Sequence, residues 1–175
     1  MKQALVVIDV QNVMFTEEAS VFQGKEVVNK IKLLIDKSRM AHVPIIYVQH
    51  VVDDHTKPTD TGGIWAICSE IRPLATDQII QKRTCDAFHE TTLDNALKAL
   101  GVDQVVYVGM QTQFCVDTTC RRSFSMGYDG ILIEDAHTTF DTELLKAEKI
   151  IAHHNSIMNG RFVKTIRFDD FEFLT

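Results

Sequence analysis

The sequence predicts a single-domain α/β fold, a doubly wound, mainly parallel six-stranded sheet with helices on both faces. Two observations carry this prediction. Four apolar runs, ALVVID, PIIYVQH, QVVYVGM and GILIED, are continuous rather than alternating, as in strands covered on both faces. Segments of helical spacing separate them, and that alternation calls for crossover connections, which are right-handed in nearly all parallel sheets.

Taken in order, the first strand occupies ALVVID and ends at Asp9. Val27, Val28, Ile31, Leu34 and Ile35 then recur on one helix face, and the pattern stops before Pro44. The second strand ends at Gln49-His50. Residues 52–73 form the one long irregular stretch, which contains HTKPTDTGG and the single tryptophan, Trp65; such a loop in a compact domain commonly carries function. A weaker strand is predicted over 78–81, with Lys82 following it. TTLDNALKAL reads as a helix stopped by Gly101. The fourth strand ends at Met110-Gln111, and CVDTTCRRSFSMGY reads as the next helix, with Cys115 at its start. The fifth strand ends at Glu134-Asp135; a last helix over 143–157 and a weak strand over 162–168 complete the chain.

Composition narrows the function. A chain of 175 residues buries a sizeable core without disulfides or structural metals, so one domain covering 1–175 is expected. The four cysteines, Cys68, Cys85, Cys115 and Cys120, form no CxxC pair and no zinc-like spacing with histidines, which suggests a reducing compartment. The N-terminal apolar run meets Asp9 too early for a signal sequence, and no stretch of about 18 apolar residues occurs, so a soluble cytoplasmic protein is expected. A net charge of -6 argues against nucleic-acid and anionic-membrane partners. Arg121-Arg122 is the only basic pair of note and reads as a solvated helix face.

Ligands of open parallel sheets sit beyond the carboxyl ends of the strands. Those ends carry Asp9, Gln49-His50, Lys82 and Glu134-Asp135, with Cys115 just after the fourth. Each has a plain structural reading: a loop carboxylate, a surface lysine, a buried thiol acting as a small hydrophobe. Cys115 stands out because it follows a turn of Gly, Gln and Thr and opens a helix, whose free amides and dipole favour a reactive thiolate. Cys120, a turn further on, reads as core with Phe124, and Cys68 and Cys85 read as structural.

Four segments, ALVVIDVQ, QKRTCDAFHETTL, VYVGMQTQFCV and GYDGILIEDA, are similar in order and separation to the signature segments of the isochorismatase-like cysteine hydrolases. The closing IIAHHNSIMNGRFVKTI resembles that family's last helix and strand, so the likeness spans the chain. The resemblance implies a catalytic triad of Asp9, Lys82 and Cys115; Lys82 is preferred to Arg83 by its distance from Ala87-Phe88. It also implies a non-proline cis peptide between Met110 and Gln111, an oxyanion hole from the Gln111 and Cys115 amides, no cofactor, and a homo-oligomer, either dimer or tetramer. Nicotinamidases of the family carry an Asp-x-His metal site after the second strand, where this chain has His50, Val51 and Val52. It therefore resembles the metal-free branch, although Asp53 and His55 offer a displaced Asp-x-His. TGGIWAICSEIRP resembles the same branch, which implies apolar walls from Trp65, Phe15 and Phe88 and polar contacts from Gln11 and His50. The activity implied is hydrolysis of a small amide, carbamoyl, ureido or lactam group through an acyl-enzyme. The alternatives are a vinyl-ether hydrolase, for which the family needs no thiol, and a non-catalytic or redox-responsive binding module on the same fold.

Overall fold

The structure, a computed structural model, describes residues 1–52 and 62–174. Its strands are β1 (Gln3–Ile8), β2 (Ile45–His50), β3 (Gln78–Lys82), β4 (Gln104–Met110), β5 (Asp129–Thr138) and β6 (Lys164–Ile166). They form one sheet in the order β3-β2-β1-β4-β5-β6, with every neighbouring pair parallel. All six residues of β1 are buried, which is why its apolar run is continuous.

Alternation along β1 divides two cores. Leu5 and Val7 face α1 (Gly24–Met40), where Val27, Ile31 and Leu34 pack with Ile71, Phe171 and Phe173. Ala4, Val6 and Ile8 face the opposite layer, which includes Leu93 and Leu97 of α2 (Leu93–Leu100), Cys120 of α3 (Asp117–Ser125) and Met158 of α4 (Ala147–Met158). Each fully buried aliphatic side chain contributes about 1.5–3 kcal/mol of transfer free energy, so the two apolar faces hold the layers together. Among the described residues no helix is long and apolar enough to cross a membrane.

The chain advances outward from β1 to β3, then restarts at β4 and runs the other way, so the topological switch lies between β1 and β4. Pairing there continues up to Ile8 opposite Gly109, immediately before Asp9. Gly109 has φ +127°, and a Cβ at this position would lie 2.0 Å from the Ile8 carbonyl oxygen. Only glycine lets the two strands stay paired to the rim, which brings Asp9 beside the turn that follows β4. The Met110-Gln111 peptide in that turn is cis.

Four elements differ from the sequence expectation. Cys115 lies within a π-helical turn, Thr112–Val116, and α3 proper begins at Asp117. Phe124 is half exposed, edge-on to Phe162, so Cys120 is buried without it in the core. The last helix starts at Ala147 because the Asp141 carboxylate accepts that residue's N–H at 2.8 Å and the Lys146 ammonium at 2.7 Å, holding the preceding residues in a turn. β5 does not stop at Glu134-Asp135: a register shift between Tyr107 and Gly109 admits extra residues, and pairing resumes at His137 and Thr138. Asp135 is thereby turned to structure, accepting the Lys30 ammonium at 2.6 Å and the Phe168 N–H at 2.8 Å.

Candidate active site

Four neighbouring strand ends build one cluster. β1 leads into Asp9, 1% exposed and held at φ +49°; β2 ends at His50; β3 ends at Lys82; the turn after β4 supplies Cys115. The Lys82 ammonium is the hub. It lies 2.6 Å from Asp9 Oδ2 and donates at 2.9 Å to the Thr84 carbonyl and at 3.1 Å to Cys115 Sγ. His50 Nδ1 lies 3.2 Å from the same nitrogen. Lysine can only donate, so Nδ1 is the acceptor and the imidazole hydrogen sits on Nε2. Lys82, expected from sequence at the end of a weak strand, is thus a buried residue rather than a surface one.

Burial sets the electrostatics, and the Asp9–Lys82 pair answers it. Desolvation pushes the Asp9 carboxyl up, and the adjacent ammonium pulls it back only in part. Desolvation also acts against the Lys82 ammonium, but its contacts with Asp9 first and Cys115 second outweigh it and hold the lysine above its ordinary value. The Cys115 thiol is pushed up first by burial and then by the Asp9 charge, more than Lys82 compensates. The resting sulfur is therefore a thiol, which corrects the thiolate expected from a helix N-terminus. The reason is that Cys115 is partly buried beside a carboxylate, inside a turn that continues into α3, rather than at an open helix end. Asp9 Oδ1 is buried with no hydrogen-bond partner among the described residues, so the carboxylate retains a free acceptor. The His50 imidazole is held below its usual range, by burial first and by Lys82 second.

Of the expected lining residues, His50 and Trp65 stand together: their ring centroids are 6.3 Å apart, and Trp65 is half-buried and belongs to neither core. Gln11 is corrected. It is 0% exposed, and its amide is committed to protein, donating to the carbonyls of His50 at 2.9 Å and Trp65 at 2.6 Å and accepting the His50 N–H at 2.9 Å. It fastens the ends of β1 and β2 to the tryptophan segment, with both amide hydrogens committed and the side chain fully buried. Phe15 packs on Gly24 and Val21 with the α1 core, whereas Cys115 packs with the opposite one. Phe88 is a buried core residue stacked on Tyr128, with the ring centroids 6.0 Å apart. Met110 is fully buried in the α1 core; Gln111 accepts the Thr139 hydroxyl at 3.1 Å, and its carbonyl takes the N–H groups of Phe114 and Val116. Asp53 and His55, the displaced metal pair, lie outside the described residues.

A buried chain behind the turn was not read from the sequence. Asn155 donates to the Glu134 carbonyl at 2.8 Å, so its Oδ1 accepts from His137 Nε2 at 2.9 Å. His137 Nδ1 then accepts the hydroxyl of Thr112, the first residue of the π turn, at 2.9 Å. Burial lowers the His137 pKa to about 4, which keeps it neutral and preserves that tautomer. The HTT sequence of residues 137–139 was the available signal, but it becomes meaningful only once β5 extends past its bulge.

Fold and site together define a Rossmann-like α/β protein with a carboxylate, an ammonium and a half-buried thiol gathered at its topological switch. The isochorismatase domain matches residues 3–155. Nicotinamidase 3 from Arabidopsis thaliana is 34% identical, with the match covering 91% of this chain and 80% of the relative. The ureidoacrylate amidohydrolase RutB of Agrobacterium fabrum is 28% identical over 76% of this chain and 74% of its own. The crystal structure of N-carbamoylsarcosine amidase from Thermoplasma acidophilum superimposes with a TM-score of 0.83 at 25% identity, covering 99% of this chain and all of the other. The chain belongs to the isochorismatase family of hydrolases.

Proposed function

We propose that the protein is a cysteine amidohydrolase that cleaves the C–N bond of a small amide, carbamoyl, ureido or lactam substrate. The observation that carries this reading is the Lys82 ammonium bridging Asp9 Oδ2 at 2.6 Å and Cys115 Sγ at 3.1 Å. The relatives named above share an amide-type substrate class, which supports it, and a vinyl-ether reaction would leave the Lys82–Cys115 contact without a task.

Chemistry follows from the resting protonation state. The Cys115 proton moves to Asp9, whose Oδ1 is an open acceptor, as the sulfur forms a bond to the substrate carbonyl carbon. Lys82 offsets the negative charge that leaves Asp9 and gathers on sulfur. The amides of Gln111 and Cys115 are proposed to receive the oxyanion. Collapse breaks the C–N bond, and the leaving nitrogen takes the proton from Asp9. Water then adds to the thioester, gives its proton to Asp9, and expels the sulfur, which regains that proton. His50 Nε2–H and the Trp65 ring are proposed to orient the substrate at the rim.

The metal of the nicotinamidase pattern does not fit these residues. Asp9, His50 and Cys115 present ligand atoms within 4.8 Å of one another, but the Lys82 nitrogen stands among them and already supplies the cation. Val51 and Val52 offer no ligand. Activity is therefore expected to survive exhaustive chelation; a loss restored only by a divalent ion would overturn this part of the reading.

Intact-mass spectrometry after rapid quenching with a panel of small amides, carbamoyl and ureido compounds tests the central step. An adduct of the acyl mass, located on Cys115 by peptide mapping, is expected for a processed substrate. Turnover with no acyl adduct at any quench time, including a slow thioester-forming substrate, would refute covalent catalysis.

A further inference from the structure

The Lys82 ammonium has three hydrogens and four neighbours. Asp9 Oδ2 at 2.6 Å and the Thr84 carbonyl at 2.9 Å take the two shortest contacts, which leaves one hydrogen for both Cys115 Sγ at 3.1 Å and His50 Nδ1 at 3.2 Å. Two acceptors at nearly equal distance thus compete for one donor. We propose that His50 is a positioning residue which restrains the nucleophile, drawing the third Lys82 hydrogen away from Cys115 in the empty site and yielding it when a ligand turns the imidazole aside. This deepens the amidohydrolase reading and rests on its assignment of Cys115 and Lys82.

The physical basis is that a thiolate needs that hydrogen more than a thiol does. A charge-assisted N–H to sulfur stabilises the anion, and each share lost to a neutral imidazole raises the cost of ionising Cys115. His50 is placed to act this way from β2. Its backbone C=O and N–H are both held by the Gln11 amide, and the Trp65 ring stands beside the imidazole with centroids 6.3 Å apart. The remaining charged groups facing the sulfur are Asp9 from β1 and Lys82 from β3, both buried and paired with each other. Among the described residues, no other group within hydrogen-bond distance of the Lys82 nitrogen accepts the third hydrogen. The Nε2–H of His50 makes no hydrogen bond to another described residue, so the ring keeps one donor for a ligand.

The test is the pH dependence of Cys115 alkylation by iodoacetamide, read by peptide mass spectrometry without substrate. Because no turnover is needed, its outcome is independent of whether an amide is hydrolysed, and failure of the amidohydrolase reading would show separately in the adduct experiment. His50→Phe removes the acceptor while keeping a ring beside Trp65, and His50→Leu removes it with a different shape. Both are expected to lower the alkylation midpoint by about half a unit or more, which is about threefold faster alkylation at a fixed pH below it. His50→Asn, which restores an acceptor oxygen near the position of Nδ1, is expected to return the midpoint to the wild-type value. A midpoint unchanged or raised in both acceptor-free variants, or lowered equally in His50→Asn, would overturn the proposal.

Discussion

Replacing Cys115 with alanine is expected to lower hydrolysis of any substrate of this protein by at least about a thousandfold, the scale on which loss of a nucleophile is felt when the rest of the site survives. The fold is expected to stay intact. Cys115 is only partly buried, and removing one sulfur costs on the order of 1 kcal/mol of packing. The same change also takes away a group whose ionisation Asp9 and burial oppose, so no unpaired charge is created. Steady-state rates with a processed amide, together with thermal unfolding, check both halves. Retention of even a tenth of the activity in a folded variant would remove Cys115 from the mechanism.

Replacing Lys82 with methionine is expected to abolish turnover and, unlike the cysteine change, to destabilise the protein by about 3–5 kcal/mol. Methionine keeps most of the stem's volume but leaves Asp9, 1% exposed, as a buried carboxylate whose partner at 2.6 Å has gone. Its pKa then rises further, since desolvation already raises it with Lys82 present. A carboxyl whose folded pKa exceeds its unfolded one binds its proton more tightly in the folded state. Stability is therefore lost as pH rises from the ordinary carboxylate range toward the folded value, and the deficit is greatest at neutral pH and narrows toward about pH 4. Adding Asp9→Asn in the same chain removes the orphaned charge and is expected to restore most of the stability but none of the activity. Urea unfolding of the single and double variants at pH 7 and near pH 4 measures this. A deficit below about 1 kcal/mol at pH 7, or one that grows on acidification, would show that the pair is not the buried hub described.

How far the site was legible follows from the range over which each signal acts. Asp9, His50, Lys82 and Cys115 were legible because a strand's end is a local property: an apolar run stops, a polar residue follows, and parallel strands bring their carboxyl ends to one rim. Gln11, Phe15 and Phe88 were assigned to the pocket by resemblance, and in the structure Gln11 is taken up by hydrogen bonds to the protein while Phe15 and Phe88 pack with the two cores. Gln11 sits two residues past Asp9, but what its amide meets is decided by His50 and Trp65, 39 and 54 positions away. The chain from Thr112 through His137 to Asn155 was invisible for the same reason, since a bulge between Tyr107 and Gly109 sets which residues of β5 face the turn.

The sequence by itself determined the sheet and its parallel sense, and it placed Asp9, His50, Lys82 and Cys115 at the rim, together with Gln49 and Glu134-Asp135; the strand order, with its switch between β1 and β4, came from the structure. Burial pattern is written residue by residue in hydrophobicity, and that pattern admits few topologies. Only the tertiary structure decided how those four residues divide protons and hydrogen bonds. It made Cys115 a resting thiol rather than a thiolate, turned Lys82 from a candidate surface lysine into a hub with more acceptors than hydrogens, and committed Gln11 to scaffolding. Those outcomes depend on separations of a few tenths of an ångström and on loss of solvent between residues far apart in the chain, because electrostatic energies in a buried site change steeply with both.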